Sequence, residues 1–411
     1  AFHYFAGREL ALQKARGRSG RFVLVSSVLV NLLLLGFFKY SGFLVENLNH
    51  IPGVALTAAK VALPVGISFY TFQVLSYVFD VYRQNVPVQR NFVLFATYVT
   101  FFPKLVSGPI VAYKDMEAQL RERTVSLDQI CGGATLFLTG LFKKVLIADN
   151  LGVLYASISG QSDTMSVVTA WLGAIGYTLQ LYFDFSGYSD MAIGLGRMFG
   201  FDIDKNFDYP YLSKSITEFW RRWHISLGKW FRDYVYFPLG GSRVRTTKIL
   251  RNLLIVWLLT GIWHGAAWTF VFWGLLHGLA QVLEKFPLRS LREKTPDWVN
   301  WLVTMLIVNF GWVFFAAPSL GSALHWIGQM FHSAAGFVDG TALYYLGANW
   351  PLLLIAIIGC TPWPKLVGAN FAGGKGVGTK AVSVAVYGLL LVSCVASMIS
   401  ATYSTFLYFQ F

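Results

Sequence analysis

The sequence predicts an all-α integral membrane protein, a single bundle in which some helices are re-entrant or broken, and three observations predict it. The 411 residues are 55% hydrophobic and only 13% charged, against roughly 45 to 50% and about 25% for a soluble domain; the mean hydropathy is +0.53. Apolar runs recur over the whole length, at 22–39, 61–79, 167–183, 297–316 and 381–399, each near the ~20 residues a helix needs to cross the hydrocarbon core. Glycine and proline interrupt others. Counting those shorter runs predicts about nine to twelve membrane helices in one domain over 1–411, with no division into two.

Charge then orders the elements. Net charge is +13, but the basic residues cluster, which in a membrane protein reports topology; with no nucleic-acid-binding or zinc pattern, a nucleic-acid partner is not expected. Arg8, Lys14, Arg16, Arg18 and Arg21 face a single Glu9 and belong inside. Residue 1 is Ala, and the opening stretch lacks the order of a signal peptide, so helices upstream of it are expected. The run 22–39 follows, then 61–79. FFPKLVSGPI, 101–110, carries Pro103 and Pro109 around Lys104 and Gly108 and reads as a broken or re-entrant helix. LYFDFSGYSDMAIGLGRMFGF, 181–201, places Asp184 and Asp190 among small residues suited to close helix packing; buried carboxylates need partners, and Arg197 is one at hand.

The segment 213–251 holds nine basic residues against Glu218 and Asp233 and belongs inside, as does Lys285 to Lys294. Only 33 residues lie between these clusters, whereas two full spans need about 40. A helical hairpin that turns within the membrane fits, with Gly261, Gly265 and Ala266-Ala267 suited to the turn. Counted at 1.5 Å per residue, His264 lies about 20 Å from Arg251. No Lys or Arg occurs between Lys294 and Lys365, so 297–316 runs out, a loop with Asp339 lies outside, a helix near 349–361 returns, and 381–399 runs out again. The tail STFLYFQF, 404–411, is thereby extracytoplasmic. Cys131, Cys360 and Cys394 sit at wide spacing in apolar runs, as free core residues without disulfide or metal logic.

His264 is the first candidate for chemistry. A histidine at membrane depth is either a general base in a dry pocket or a core residue bonded to a backbone carbonyl, and the residues alone do not choose. His277 reads as structural. SITEFWRRWHISLGKWFRDYVYFPLGG, 215–241, interleaves aromatic with basic residues; it is either an amphipathic helix in the cytoplasmic interface or a site where Arg221, Arg222 and Lys229 gather the phosphates of an anionic donor, with His224 at its mouth. The tail is either an outer aromatic belt or a carrier. Tyr408 is the one phenol among its eight residues, and a phenol pKa near 10 lies close enough to a thiol's near 8.5 for an acyl tyrosine to keep much of a thioester's transfer potential.

These motifs, together with LPVGISFYTFQVLSYVFDVYR at 63–83, GIWHGAAW and FWGLLHG, resemble one family over about residue 20 to the end: the bacterial membrane-bound O-acyltransferases of the alginate O-acetylase and peptidoglycan O-acetyltransferase type, with the teichoic-acid D-alanyl exporters as relatives. The family usually starts upstream of Ala1. The resemblance implies a helical bundle around a central funnel entered from the cytoplasm. It matches His264 to the active-site histidine and His224 to a second histidine near the donor's way in. Trp263, Asp184, Arg221, Arg222 and Lys229 become candidate substrate-binding positions. Tyr408 takes the place of a C-terminal tyrosine thought to carry the acyl group.

It implies further an acetyl coenzyme A or related thioester donor, no bound cofactor or metal, a bacterial cytoplasmic-membrane location among membrane lipid, and an extracytoplasmic acyltransferase- or esterase-like partner. Two alternatives stay open. In one, a lipid or sugar acceptor reacts directly in the tunnel; in the other, the chain is a transporter, although it shows no internal repeat.

Overall fold

The computed structural model describes residues 1–58, 61–161, 164–372 and 377–400. Helices α1 (Phe2–Ala15) and α2 (Arg21–Leu48) are followed by α3 (Ile67–Tyr82), α4 (Leu127–Ser159) and the 32-residue α5 (Val167–Met198). Then come two short helices, α6 (Ile216–Arg222) and α7 (Ile225–Phe231), and the pair α8 (Thr246–His264) and α9 (Trp268–Lys285). The described part then ends with α10 (Asp297–Ala316), α11 (Gly340–Gly359) and α12 (Val377–Ser400), with the shorter helices Leu320–Gln329 and Trp363–Ala372 between them. Among the described residues there is no strand.

Five of the described helices are long and apolar enough to cross a membrane: α2, α4, α10, α11 and the part of α12 from Ala381. The count is below nine to twelve because the other apolar residues fall on shorter or interrupted helices, or on α5, which is long enough but mixes its apolar residues with Gln180, Asp184, Asp190 and many small side chains. The run 61–79, for example, becomes helical only at Ile67. Gly66 stands at φ 75°, directly against the carbonyl of Leu105, where a side chain has neither room nor a favoured conformation. The facing segment is the expected broken helix, a single turn over Phe102–Leu105. Lys104 is fully buried there, its ammonium 3.9 Å from the centre of the Tyr98 ring.

α4 was hidden in the sequence by Lys143, Lys144 and Asp149 at its middle, a π-helical turn over Lys143–Ala148. Two of the pairs cross the interface with α5, Lys144 with Asp184 at 2.7 Å and Lys143 with Asp190 at 2.6 Å; Lys144 also pairs with Asp149 of its own helix at 2.5 Å. Arg197, the partner expected for these carboxylates, lies instead against Gly132. The small residues do allow close packing, with Gly133 opposite Gly194 and Gly140 opposite Gly187.

Helices α8 and α9 form the expected hairpin, with the break confined to residues 265–267. Gly261 is not in the turn. It faces α9, where an added Cβ would sit 2.5 Å from the Phe270 carbonyl, and Gly274 meets the Trp257 carbonyl in the same way. At the far end of α5, Asp339 caps α11 by accepting from the Ala342 N–H at 2.8 Å. It also accepts from Ser166 at 3.0 Å and Thr169 at 3.2 Å. The N-termini of α5 and α11 therefore share one end of the bundle, consistent with a loop free of Lys and Arg at that end and the basic 213–251 segment at the other.

The segment 215–241 is not an amphipathic surface helix. It breaks at Trp223-His224, and Phe219, Trp223, Trp230, Phe231 and Tyr234 are all buried. Trp230 stacks on Phe72 of α3 at 3.8 Å and 8°, and Trp223 packs on Trp312 of α10 at 4.9 Å. Rings of this size lose more by facing water or headgroups than by filling the bundle, so the segment folds inward. The cysteines divide: Cys360 and Cys394 are buried, but Cys131 is exposed.

Candidate active site

His264 is the last residue of α8, and the helix holds it in a defined orientation. Its Nδ1 lies 2.7 Å from the carbonyl oxygen of Thr260, one turn earlier. A carbonyl only accepts, so Nδ1 carries the proton and, in the neutral ring, Nε2 carries the lone pair. The backbone bond that would mark a mere core histidine is thus also the bond that fixes a basic nitrogen. Around the ring stand Trp273 at 4.7 Å, Trp263 at 4.9 Å and Phe315 at 5.5 Å, and the residue is 4% exposed.

His224 approaches the same place from the α6–α7 break. It sits at φ 45° and ψ 54°, a left-handed conformation rare for a residue with a side chain and often found where function fixes the backbone. Asn206 secures it: its Oδ1 lies 3.3 Å from His224 Nδ1 and accepts from the amide and hydroxyl of Ser226 at 3.1 and 2.9 Å. The Ser226 hydroxyl also receives the Ile110 amide at 2.9 Å, which joins FFPKLVSGPI to this loop. The Nε2 of His224 is buried with no hydrogen-bond partner among the described residues.

Trp263 links the two histidines. Its ring lies 6.2 Å from His224 and 4.9 Å from His264, stacked at 12° on Phe72. The site is therefore two oriented imidazoles on an aromatic floor.

Comparison with known proteins shows which family carries this arrangement. A profile described as MBOAT, membrane-bound O-acyltransferase family, matches residues 75–323. A probable alginate O-acetylase of Pseudomonas putida is 41% identical over 100% of this chain and 88% of its own length. One from Azotobacter vinelandii is 46% identical over 80% of this chain and 67% of its own. A peptidoglycan O-acetyltransferase of Helicobacter pylori is 38% identical over 79% and 67%.

The chain belongs to the membrane-bound O-acyltransferase family. It is accordingly an acyltransferase enzyme of the membrane, and the all-α bundle is the fold expected of the family.

In this O-acyltransferase the other expected site residues separate. Arg222 bonds Glu218 at 2.9 Å and the Asp208 carbonyl at 3.1 Å, while Lys229 is shared between Asp115 at 3.0 Å and Asp204 at 3.5 Å. Arg221 is exposed. A phosphate donor would have to compete with carboxylates for two of these three cations. Asp184 is 2% exposed and salt-bridged to Lys144. Tyr408 lies outside the described residues. His277 is fully buried among Trp220, Trp257 and Trp273, and its Nδ1 accepts the Trp220 indole N–H at 3.3 Å. Among the described residues no group of three or more His, Cys, Asp or Glu could hold a metal ion.

Sequence reasoning missed Asn206 and Thr260, which orient the histidines, and Lys39 and Tyr40 of α2. Lys39 Nζ lies 2.7 Å from the Trp263 carbonyl and 3.0 Å from that of His264. Its only sequence signal was a lysine closing the apolar run 22–39.

Proposed function

We propose that this O-acyltransferase carries an acetyl group from a cytoplasmic thioester, acetyl coenzyme A, across the bacterial inner membrane for O-acetylation of an extracytoplasmic polysaccharide. The names of the relatives support an envelope polymer such as alginate or peptidoglycan, and an extracytoplasmic partner protein completes the transfer. The observation that carries the reading is His264, whose Nδ1 is committed to the Thr260 carbonyl, so that its Nε2 is the nitrogen able to take a proton.

The tail enters from the extracytoplasmic side with Tyr408. His264 Nε2 takes the phenolic proton and the oxygen attacks the thioester carbonyl carbon. The carbon–sulfur bond breaks, and the thiolate recovers the proton from the imidazolium and leaves as coenzyme A. An aryl ester now holds the acetyl group on the outer side, where the partner takes it up. General base assistance supplies about 10²- to 10⁴-fold; alignment between fixed groups supplies much of the rest. Trp263 and His224 line the donor's approach, with Arg221, Arg222 and Lys229 as its outer contacts.

In cells whose own copy is deleted, His264→Ala is expected to abolish O-acetyl esters on the exported polysaccharide at matched membrane levels. Tyr408→Phe keeps the aromatic ring and is expected to do the same. Unchanged acetylation in the first removes the base, and in the second removes the carrier.

A further inference from the structure

Lys39 lies in a span, where an ammonium is costly unless its donors are satisfied. An ammonium has three N–H donors, and here each has an acceptor: the Trp263 carbonyl at 2.7 Å, the His264 carbonyl at 3.0 Å and the Ser68 hydroxyl at 3.4 Å. Next to it, the Tyr40 hydroxyl donates to the Ile262 carbonyl at 2.5 Å. The last four carbonyls of any helix lack an amide from their own helix. In α8 three of those four, on residues 262, 263 and 264, are taken by two consecutive residues of α2. After His264 the chain turns out into an extended Gly265 at φ −164°, so the helix closes no cap of its own there.

The local structure of α2 is suited to this. Residues Gly36–Tyr40 form a π-helical turn, an insertion that changes the direction of the side chains after it and recurs at functional sites. A cation at a helix C-terminus also meets the negative end of the helix dipole. We infer that Lys39, assisted by Tyr40, is a positioning residue for acyl transfer, a clamp that fixes the open end of α8 and with it the imidazole of His264. This rests on the reading of His264 as the base. Because all three donors of Lys39 are committed to protein acceptors, the clamp does not touch the donor substrate, and its loss acts on turnover rather than on donor binding. The Ser68 contact extends the clamp to α3, whose Ser68 carbonyl also receives the Trp263 indole N–H at 3.3 Å.

The test uses inside-out membrane vesicles containing the full chain and its native partner, with acetyl coenzyme A as the varied donor and thiol release as the rate. Lys39→Met keeps the length and deletes the donors. A displacement of about 1 Å in a reacting group costs on the order of 10²-fold, so kcat is expected to fall about 10- to 100-fold while donor KM stays within about twofold. Lys39→Arg keeps the charge but offers a planar fork in place of three divergent donors, and is expected to fall between Lys39→Met and the parent. Tyr40→Phe removes one bond and is expected to lower kcat by about threefold or more.

Each result bears on one claim. Wild-type kcat in Lys39→Met beside an inactive His264→Ala overturns the clamp and leaves the base intact, as does a loss confined to KM. Wild-type activity in His264→Ala overturns the base itself. Should Lys39→Met not reach the membrane, Tyr40→Phe decides, and wild-type kcat there overturns the clamp.

Discussion

The pair Lys144–Asp184 allows a sharp prediction, because its carboxylate stands among the candidate substrate contacts while its geometry is that of a structural bond. The side chains are 8% and 2% exposed and 2.7 Å apart. Breaking a buried pair by removing one partner typically costs about 3 to 5 kcal/mol, since the other charge is left uncompensated. The two ends are not equivalent. Lys144→Met removes the 2.7 Å ion pair of Asp184, at a cost of about 3 to 5 kcal/mol. Asp184→Asn leaves Lys144 its second carboxylate, Asp149 at 2.5 Å and 27% exposed, which keeps the cation paired and makes the loss smaller. In Lys144→Met with Asp184→Asn the pair is gone from both ends, and the double variant is expected to lose less than the two single losses together.

The assay is thermal unfolding in detergent followed by tryptophan fluorescence, with donor KM measured on the folded fraction. Lys144→Met is expected to unfold at the lowest temperature of the three, with donor KM unchanged. Wild-type unfolding temperatures together with a raised KM in Asp184→Asn would refute the reasoning and return Asp184 to the substrate site.

Three further outcomes follow from the geometry. Gly261→Val drives a side chain into the Phe270 carbonyl, and overpacking costs about 1 to 3 kcal/mol, so folded yield and activity should both fall; Gly347→Val, with open space around that position, should leave both unchanged. Asn206→Ala releases His224 Nδ1 and Ser226, and the loss of a bond worth about 1 kcal/mol should lower transfer roughly fivefold without altering protein level, as read by thiol release. Burial raises the Asp233 carboxyl, but hydrogen bonds from Lys114 and Arg232 outweigh it and hold the group below its ordinary 3.8. The stability that this group contributes is present above pH 3.8 and is lost as pH falls through the lower folded value, so Asp233→Asn should be destabilised at neutral pH and converge on the parent in strong acid.

What the sequence disclosed depended on whether the signal was local. The break at Gly265 could be counted, because 33 residues between two basic clusters are too few for two spans. The resemblance then gave His264 a role. The span Leu127–Ser159 was obscured because charges normally exclude a membrane helix, and only the fold reveals that Lys143 and Lys144 face Asp190 and Asp184. The aromatic and basic alternation of 215–241 resembles an interfacial helix in one dimension; only the fold shows the break at His224 and the rings buried on either side of it. Lys39 was out of reach for a different reason, since the carbonyls it holds are 224 and 225 residues away.

The central claim is that an acetyl group passes through Tyr408 with His264 as the base. Purified full-length protein in lipid nanodiscs is incubated with acetyl coenzyme A in the absence of the partner, quenched in acid, and its C-terminal peptide analysed by mass spectrometry. The account predicts the added mass of one acetyl group on Tyr408, absent in both His264→Ala and Tyr408→Phe. Parent protein that releases coenzyme A and acetylates the polymer once the partner is restored, yet never carries acetyl on Tyr408, would contradict it.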